Sequence, residues 1–405
     1  MDAALDAALA GAGPDVWIAF DHAARDALRY GALTLPVYRR TPRGGLGNLL
    51  VPGRRKAPGD RVDPESVAGL SPRRRALAAC HADGRVRRAA LEALAALPEL
   101  TPLLLLRATD WVPQVREAAR TLLEGLPHST VLLHGSLILR LSRRERGGFA
   151  RELFGRAVDA ATPEVIAALL TDDDRAVRRT AHRTALDRGT LSPARLARIA
   201  AADADPKVAT MCAEAAVASV RGPGDGPVVD LLLTARNAQV RAAGVTALRR
   251  AGRHPEAVAF LADRSGVVRA CARYVLRQDG TDPLPRYREL CADAGRHPAA
   301  ATGLGECGGQ SEEDVATLWA LTGHPVPAVR VHAVTGLRLL DATRHERLLP
   351  LLDDPSSAVV RTVTRALLPD AARLPGARLR DRTADDRPPH VRVAARRLLR
   401  AATRQ

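Results

Sequence analysis

The chain has 405 residues, 46% of them hydrophobic and 26% charged, enough to bury a large core. Aromatic residues make up only 3%, while Ala, Leu, Val and Arg dominate, a mix that suits closely packed helices and argues against β-sandwiches. The formal net charge of +16 sits in two stretches: residues 36–75 and 372–405 each hold ten Lys/Arg against three Asp/Glu, which leaves +2 for the rest.

The opening MDAALDAALAGAGPD has neither the basic start nor the apolar run of a secretory signal. The longest apolar runs, at 103–106 and 131–139, fall far short of the roughly 20 residues that span a bilayer, so no transmembrane segment is expected. Five scattered cysteines, Cys80, Cys212, Cys271, Cys291 and Cys307, form no CxxC and read as reduced, packed thiols of a cytoplasmic protein. Residues 14–30, PDVWIAFDHAARDALRY, predict one amphipathic helix. A Gly/Pro/Arg-rich stretch follows, with Arg39, Arg40, Arg43, Arg54, Arg55 and Lys56 as candidate binding residues. Residues 1–70 are thus expected to form an N-terminal helical cap plus a basic loop.

From residue 71 onward the chain repeats itself. TDWVPQVREAAR at 109–120 returns as TDDDRAVRRTAH at 171–182, and a Val-Arg pair recurs at 86, 115, 177, 240, 268, 329, 360 and 391. Val208-Ala209 keeps the Val alone, and two double-length intervals have midpoints in RGGFARELFGRAV and RHPAAATGLGECG. Eleven anchors give a period of about 30 residues, the mark of a solenoid. Each unit predicts an apolar helix such as PEVIAALL, an Asp-rich or Pro/Gly turn, and a second helix with small residues on its apolar face, such as Val177, Ala181 and Ala185. The turn aspartates are placed to cap the second helix, as are Pro113, Pro206 and Pro327 in its first turn. Weak anchoring at Val208, followed by RGPGDGP, predicts a hinge near 205–227.

The pattern of a helix, then Asp, then V-R-x-x-A-x-x-x-L, clearest at 110–123, 264–276 and 353–368, resembles HEAT repeats, particularly the bacterial PBS-lyase HEAT-like kind. The resemblance covers residues 71–402. It implies an all-α, right-handed α-solenoid of about eleven two-helix repeats behind a non-repeat N-terminal cap. It also implies a structural ladder of turn Asp and second-helix Arg, carried here by Asp83 and Arg87, Asp110 and Arg116, Asp174 and Arg178, Asp263 and Arg269, Asp354 and Arg361, and Asp386 and Arg392. Arg241 and Arg330 have no Asp in the equivalent turn, so they are expected to be solvated or free for a ligand.

The remaining second-helix arginines Arg120, Arg273, Arg365 and Arg396 each lie four residues after a ladder arginine, on a shared face. A row of them on a concave surface would grip an acidic protein or a phosphate backbone. HEAT-like solenoids include alkylpurine DNA glycosylases that use Trp, Asp and Arg; here only Trp17, Trp111 and Trp319 are present, and Trp111 reads as packing between repeats. No metal spacing, nucleophile elbow or phosphate loop appears: GGLGN at 44–48 lacks its context, and Asp172, Asp173 and Asp174 read as a capped turn. No cofactor is expected. The sequence points to a non-enzymatic scaffold that binds protein, with nucleic-acid binding as the alternative.

Overall fold

Alanine-rich helices with a valine anchor on one face and short capped turns between them leave stacking as the only way to bury their apolar stripes. The computed structural model describes residues 2–10, 13–39, 61–308 and 311–403, with backbone alone at 2, 39 and 61. It is all-α apart from one antiparallel pair of two-residue strands, Tyr38–Arg39 with Arg61–Val62. The chain divides into two compact units, residues 1–190 and 191–405.

The first unit opens with helices Asp2–Leu9 and Pro14–Arg29, the latter covering most of the stretch predicted at 14–30. Its buried stripe is Trp17, Phe20, Asp21 and Ala24. Four helix pairs follow the strand pair: Pro72–Ala79 with Gly84–Ala95, Thr101–Arg107 with Pro113–Glu124, Gly135–Leu141 with Gly148–Asp159, and Pro163–Leu169 with Arg175–Asp187. The second unit stacks seven more. They are Pro193–Ala202 with Pro206–Ser219, Gly226–Leu233 with Ala238–Ala247, the 3-10 turn His254–Phe260 with Gly266–Gln278, and Leu284–Ala292 with Ala300–Cys307. Then come Glu312–Leu321 with Pro327–Leu339, His345–Leu348 with Ser357–Leu367, and Gly376–Asp381 with Pro389–Ala402. Both anchorless midpoints therefore carry helix pairs, and the total agrees with the repeat number expected. The segment expected to hinge, 205–227, begins after the division between the units.

The anchors do what their spacing implies. Val86, Val115, Val177, Val208, Val240, Val268, Val329, Val360 and Val391 are all at most 2% exposed. Asp83, Asp174 and Asp205 cap their helices by accepting backbone N–H bonds from Arg85, Ala176 and Lys207, and Pro113, Pro206 and Pro327 occupy first turns.

Glycines let Ala300–Cys307 and Pro327–Leu339 approach backbone to backbone. A Cβ on Gly305 would stand 2.6 Å from the carbonyl oxygen of Gly336 and 2.7 Å from its Cα. Both obstacles are backbone and cannot swing away. Gly305→Ala is therefore expected to cost about 1–3 kcal/mol as overpacking, measured as a lowered urea midpoint for the second unit.

Candidate functional site

The second-helix arginine uses its two ends differently. Its Nη1 donates back to carbonyl oxygens of its own turn: Arg87 to His81 and Ala82, Arg178 to Asp172 and Asp173, Arg241 to Ala235 and Arg236, and Arg330 to His324 and Pro325. Arg116 and Arg269 reach Asp110 and Asp263 in the same way. The other edge of the guanidinium, where it is engaged, grips a carboxylate in the next repeat. Arg87 holds Asp110 at 2.9 and 2.8 Å, Arg241 holds Asp263 at 3.0 and 2.9 Å, and Arg330 holds Asp354 at 2.7 and 2.7 Å. These are bidentate, charge-assisted pairs.

The ladder thus runs one repeat further than the pairs carried over from the resemblance. Asp83 pairs with Arg85 and accepts from the Tyr38 hydroxyl rather than serving Arg87. Arg241 and Arg330 correct the expectation most plainly. The absence of Asp from their own turns is irrelevant, because their acceptors lie 22 and 24 residues onward. Each acceptor also fixes its own turn: Asp110 accepts the Val112 N–H, Asp263 that of Ser265, and Asp354 that of Ser356. One carboxylate therefore caps its turn and receives the preceding repeat at once.

Where the anchor is missing, the acid comes from elsewhere. Glu306, on Ala300–Cys307, accepts from Arg269 at 3.0 and 2.5 Å and from Arg273 at 2.6 Å; Arg273 also donates to the Tyr287 hydroxyl. Burial works against the Glu306 charge, but Arg269 and Arg273 outweigh it and hold the carboxyl below its usual range. Arg288 likewise grips buried Asp314 at 2.7 and 2.9 Å. Nothing in the repeat pattern singled out Glu306 or Asp314; the available signal was a lone acid in the otherwise degenerate GLGECGG.

A second cluster ties the N-terminal helix to the first repeats. Arg107, 2% exposed, is shared between Asp21 at 2.5 Å and Asp110 at 3.3 Å. Burial opposes ionisation of Asp21, yet Arg107 and then Arg25 keep its carboxyl below the ordinary range. The adjacent thiol of Cys80 is pushed well up by burial, consistent with an inert packed cysteine. Trp111 packs its ring on Arg87 of the preceding repeat, 4.3 Å from its centroid, and on Arg25 of the N-terminal helix, at 4.6 Å, while staying 53% exposed. Trp17 and Trp319 are each 7% exposed.

The remaining candidate arginines separate cleanly. Arg120 is spent on the carbonyl oxygens of Ala108 and Arg146 and stacks on Phe149. Arg361, Arg365 and Arg396 are exposed and form no ion pair or hydrogen bond through their side chains among the described residues. Asp386 is also exposed and unpaired, and Arg392 turns to Asp385 at 2.8 Å. Arg40, Arg43, Arg54, Arg55, Lys56 and the side chain of Arg39 lie outside the described residues. Among the described residues, no group of His, Cys, Asp and Glu could hold a metal ion, and no helix is long and apolar enough to cross a membrane.

No protein-family model matches the chain, and no curated protein does. Several solved helical structures are similar to it. Kap121p is 14% identical with a TM-score of 0.32, over 84% of this chain and 47% of that one. Kap121p bound to Nup53p is 13% identical with a TM-score of 0.33, over 82% and 45%. Importin beta in ammonium sulfate is 13% identical with a TM-score of 0.26, over 84% and 59%. The chain spans about half the length of these structures.

Proposed function

We propose that the chain is a non-enzymatic, cytoplasmic scaffold that binds another protein on its second helices. One observation supports protein over nucleic acid above all others. The arginines of Ala238–Ala247, Gly266–Gln278 and Pro327–Leu339 that could have formed a cationic row are already neutralised by Asp263, Glu306 and Asp354. A phosphate backbone needs repeated free cations along its track; on these helices the arginines beside the valine anchors are paired ones. Among the described residues, five exposed guanidiniums without a side-chain partner lie on the adjacent helices Ser357–Leu367 and Pro389–Ala402, at Arg361, Arg365, Arg396, Arg397 and Arg400; others, such as Arg175, Arg183 and Arg198, stand apart from them. A basic group on two adjacent helices favours local charge complementarity with a folded or extended protein.

The test is capture from native extract by the full chain, with and without nuclease, read by mass spectrometry. A defined protein that survives nuclease supports the scaffold. Loss of every partner on nuclease treatment, with affinity for nucleic acid falling steeply with salt, would replace this reading by the alternative.

A further inference from the structure

Among the described residues Arg116, Arg178 and Arg361 hold no acid of the next repeat, and for Arg361 the sequence of the next turn explains why. Asp386 stands five residues before Val391, as Asp110 stands before Val115 and Asp263 before Val268. By the rule seen at Arg87, Arg241 and Arg330, it should receive Arg361 from the preceding repeat. It does not. In the three working turns the acid is pinned by accepting the N–H of the residue two positions on. Two positions after Asp386 is Pro388, which has no N–H to give. The turn loses its pin, Asp386 is left exposed, and the exposed Arg361 guanidinium has no side-chain partner among the described residues.

Arg361 is not alone there. Arg365 lies one turn further along the same exposed face of Ser357–Leu367. Arg396 occupies the matching position on Pro389–Ala402, the helix that packs against it, and Val393 on that helix is 65% exposed. We infer that this face of Ser357–Leu367 and Pro389–Ala402 is a docking surface for an acidic protein segment, whose carboxylate takes the place on Arg361 that a ladder acid fills in other repeats. The inference rests on the protein-scaffold reading and names its partner's chemistry. Carboxylate is favoured over phosphate because Arg87, Arg241, Arg269 and Arg330 each clamp a carboxylate bidentately. The exposed valine beside the arginines suits a segment that carries apolar residues among its acids.

The experiment uses the full chain and fluorescein-labelled poly-L-glutamate at about 0.15 M salt, followed by fluorescence anisotropy. The R361E/R365E variant is expected to bind about tenfold more weakly, a change of about 1.4 kcal/mol. Pro388→Ser, which restores an N–H to pin Asp386, is expected to weaken binding as well, because Asp386 then competes for Arg361. R175E/R198E, which reverses two exposed arginines elsewhere, is expected to retain affinity. Wild-type affinity in R361E/R365E or in Pro388→Ser overturns the inference, as does an equal loss in R175E/R198E. Tighter binding of a single-stranded oligonucleotide of matched charge also overturns it, in favour of phosphate. If R361E/R365E still captures a nuclease-resistant partner, this site fails and the scaffold reading stands.

Discussion

Replacing Asp110 by alanine is expected to destabilise the first unit by about 3–5 kcal/mol, the cost of breaking a buried ion pair from one side. Asp110 is the meeting point of two cations that have almost no access to water, Arg87 at 0% and Arg107 at 2% exposure. Its removal leaves Arg87 without a counter-charge and Arg107 with Asp21 alone. The turn before Pro113–Glu124 also loses its internal bond, since Val112 N–H has no other acceptor there. Arg107 has little slack to absorb the change, because its Nε already lacks a partner. Arg116→Ala serves as the contrast. Arg116 makes a single bond to a carbonyl of its own turn, so its loss is expected to cost about 1 kcal/mol or less. Urea unfolding followed by amide exchange separates the units. The expected result is early exchange in Thr101–Arg107 and Pro113–Glu124 with the second unit unchanged; equal stability of the two variants would remove Asp110 from its central place.

Glu306→Gln is expected to cost about 3 kcal/mol near neutral pH. Arg269 and Arg273 are 4% and 11% exposed, and the amide gives them hydrogen bonds without charge. The same variant has a pH signature. The folded pKa of Glu306 lies below its ordinary value, so the wild type gains stability from this carboxylate above the unfolded pKa of about 4.3. That gain is lost as pH falls through the lower folded value. Asp263 and Asp21 behave alike, each depressed by arginines against burial. The wild-type unfolding midpoint should therefore drop steeply below about pH 4, and Glu306→Gln should show a shallower acid limb in the second unit. An acid limb of unchanged steepness would mean that Glu306 is not held below its ordinary pKa.

The stacked fold was legible because its signal repeats: nine buried valines keep the period even though two units lack one. The ladder was half legible. Its donors sit beside the anchors, but its acceptors lie in the next repeat, a relation that local spacing cannot reveal. Arg241 and Arg330 looked free for that reason. Glu306 was invisible because its helix lacks the Val-Arg pair and supplies the acid from the opposite partner of the clamp. Asp21 did leave a trace, as the one acid on the Trp17, Phe20, Ala24 stripe, where only a buried counter-charge makes it tolerable. The exposure of Trp111 between two guanidiniums had no sequence signature, since it depends on where the Pro14–Arg29 helix lies.

The clamps also set how far a local disturbance travels. In the second unit they run without interruption: Arg241 to Asp263, Arg269 to Glu306, Arg288 to Asp314, Arg330 to Asp354. Every repeat from Gly226 to Leu367 is thereby strapped to the next by a bidentate pair, and the series stops at unpaired Arg361. In a chain whose neighbours are its only contacts, the strength of each junction decides whether units open singly or together. These five repeats form one domino row: a tug at any member is shared by all of them, and fraying from the C-terminal side is arrested at the first fastened junction, between Asp354 and Arg330.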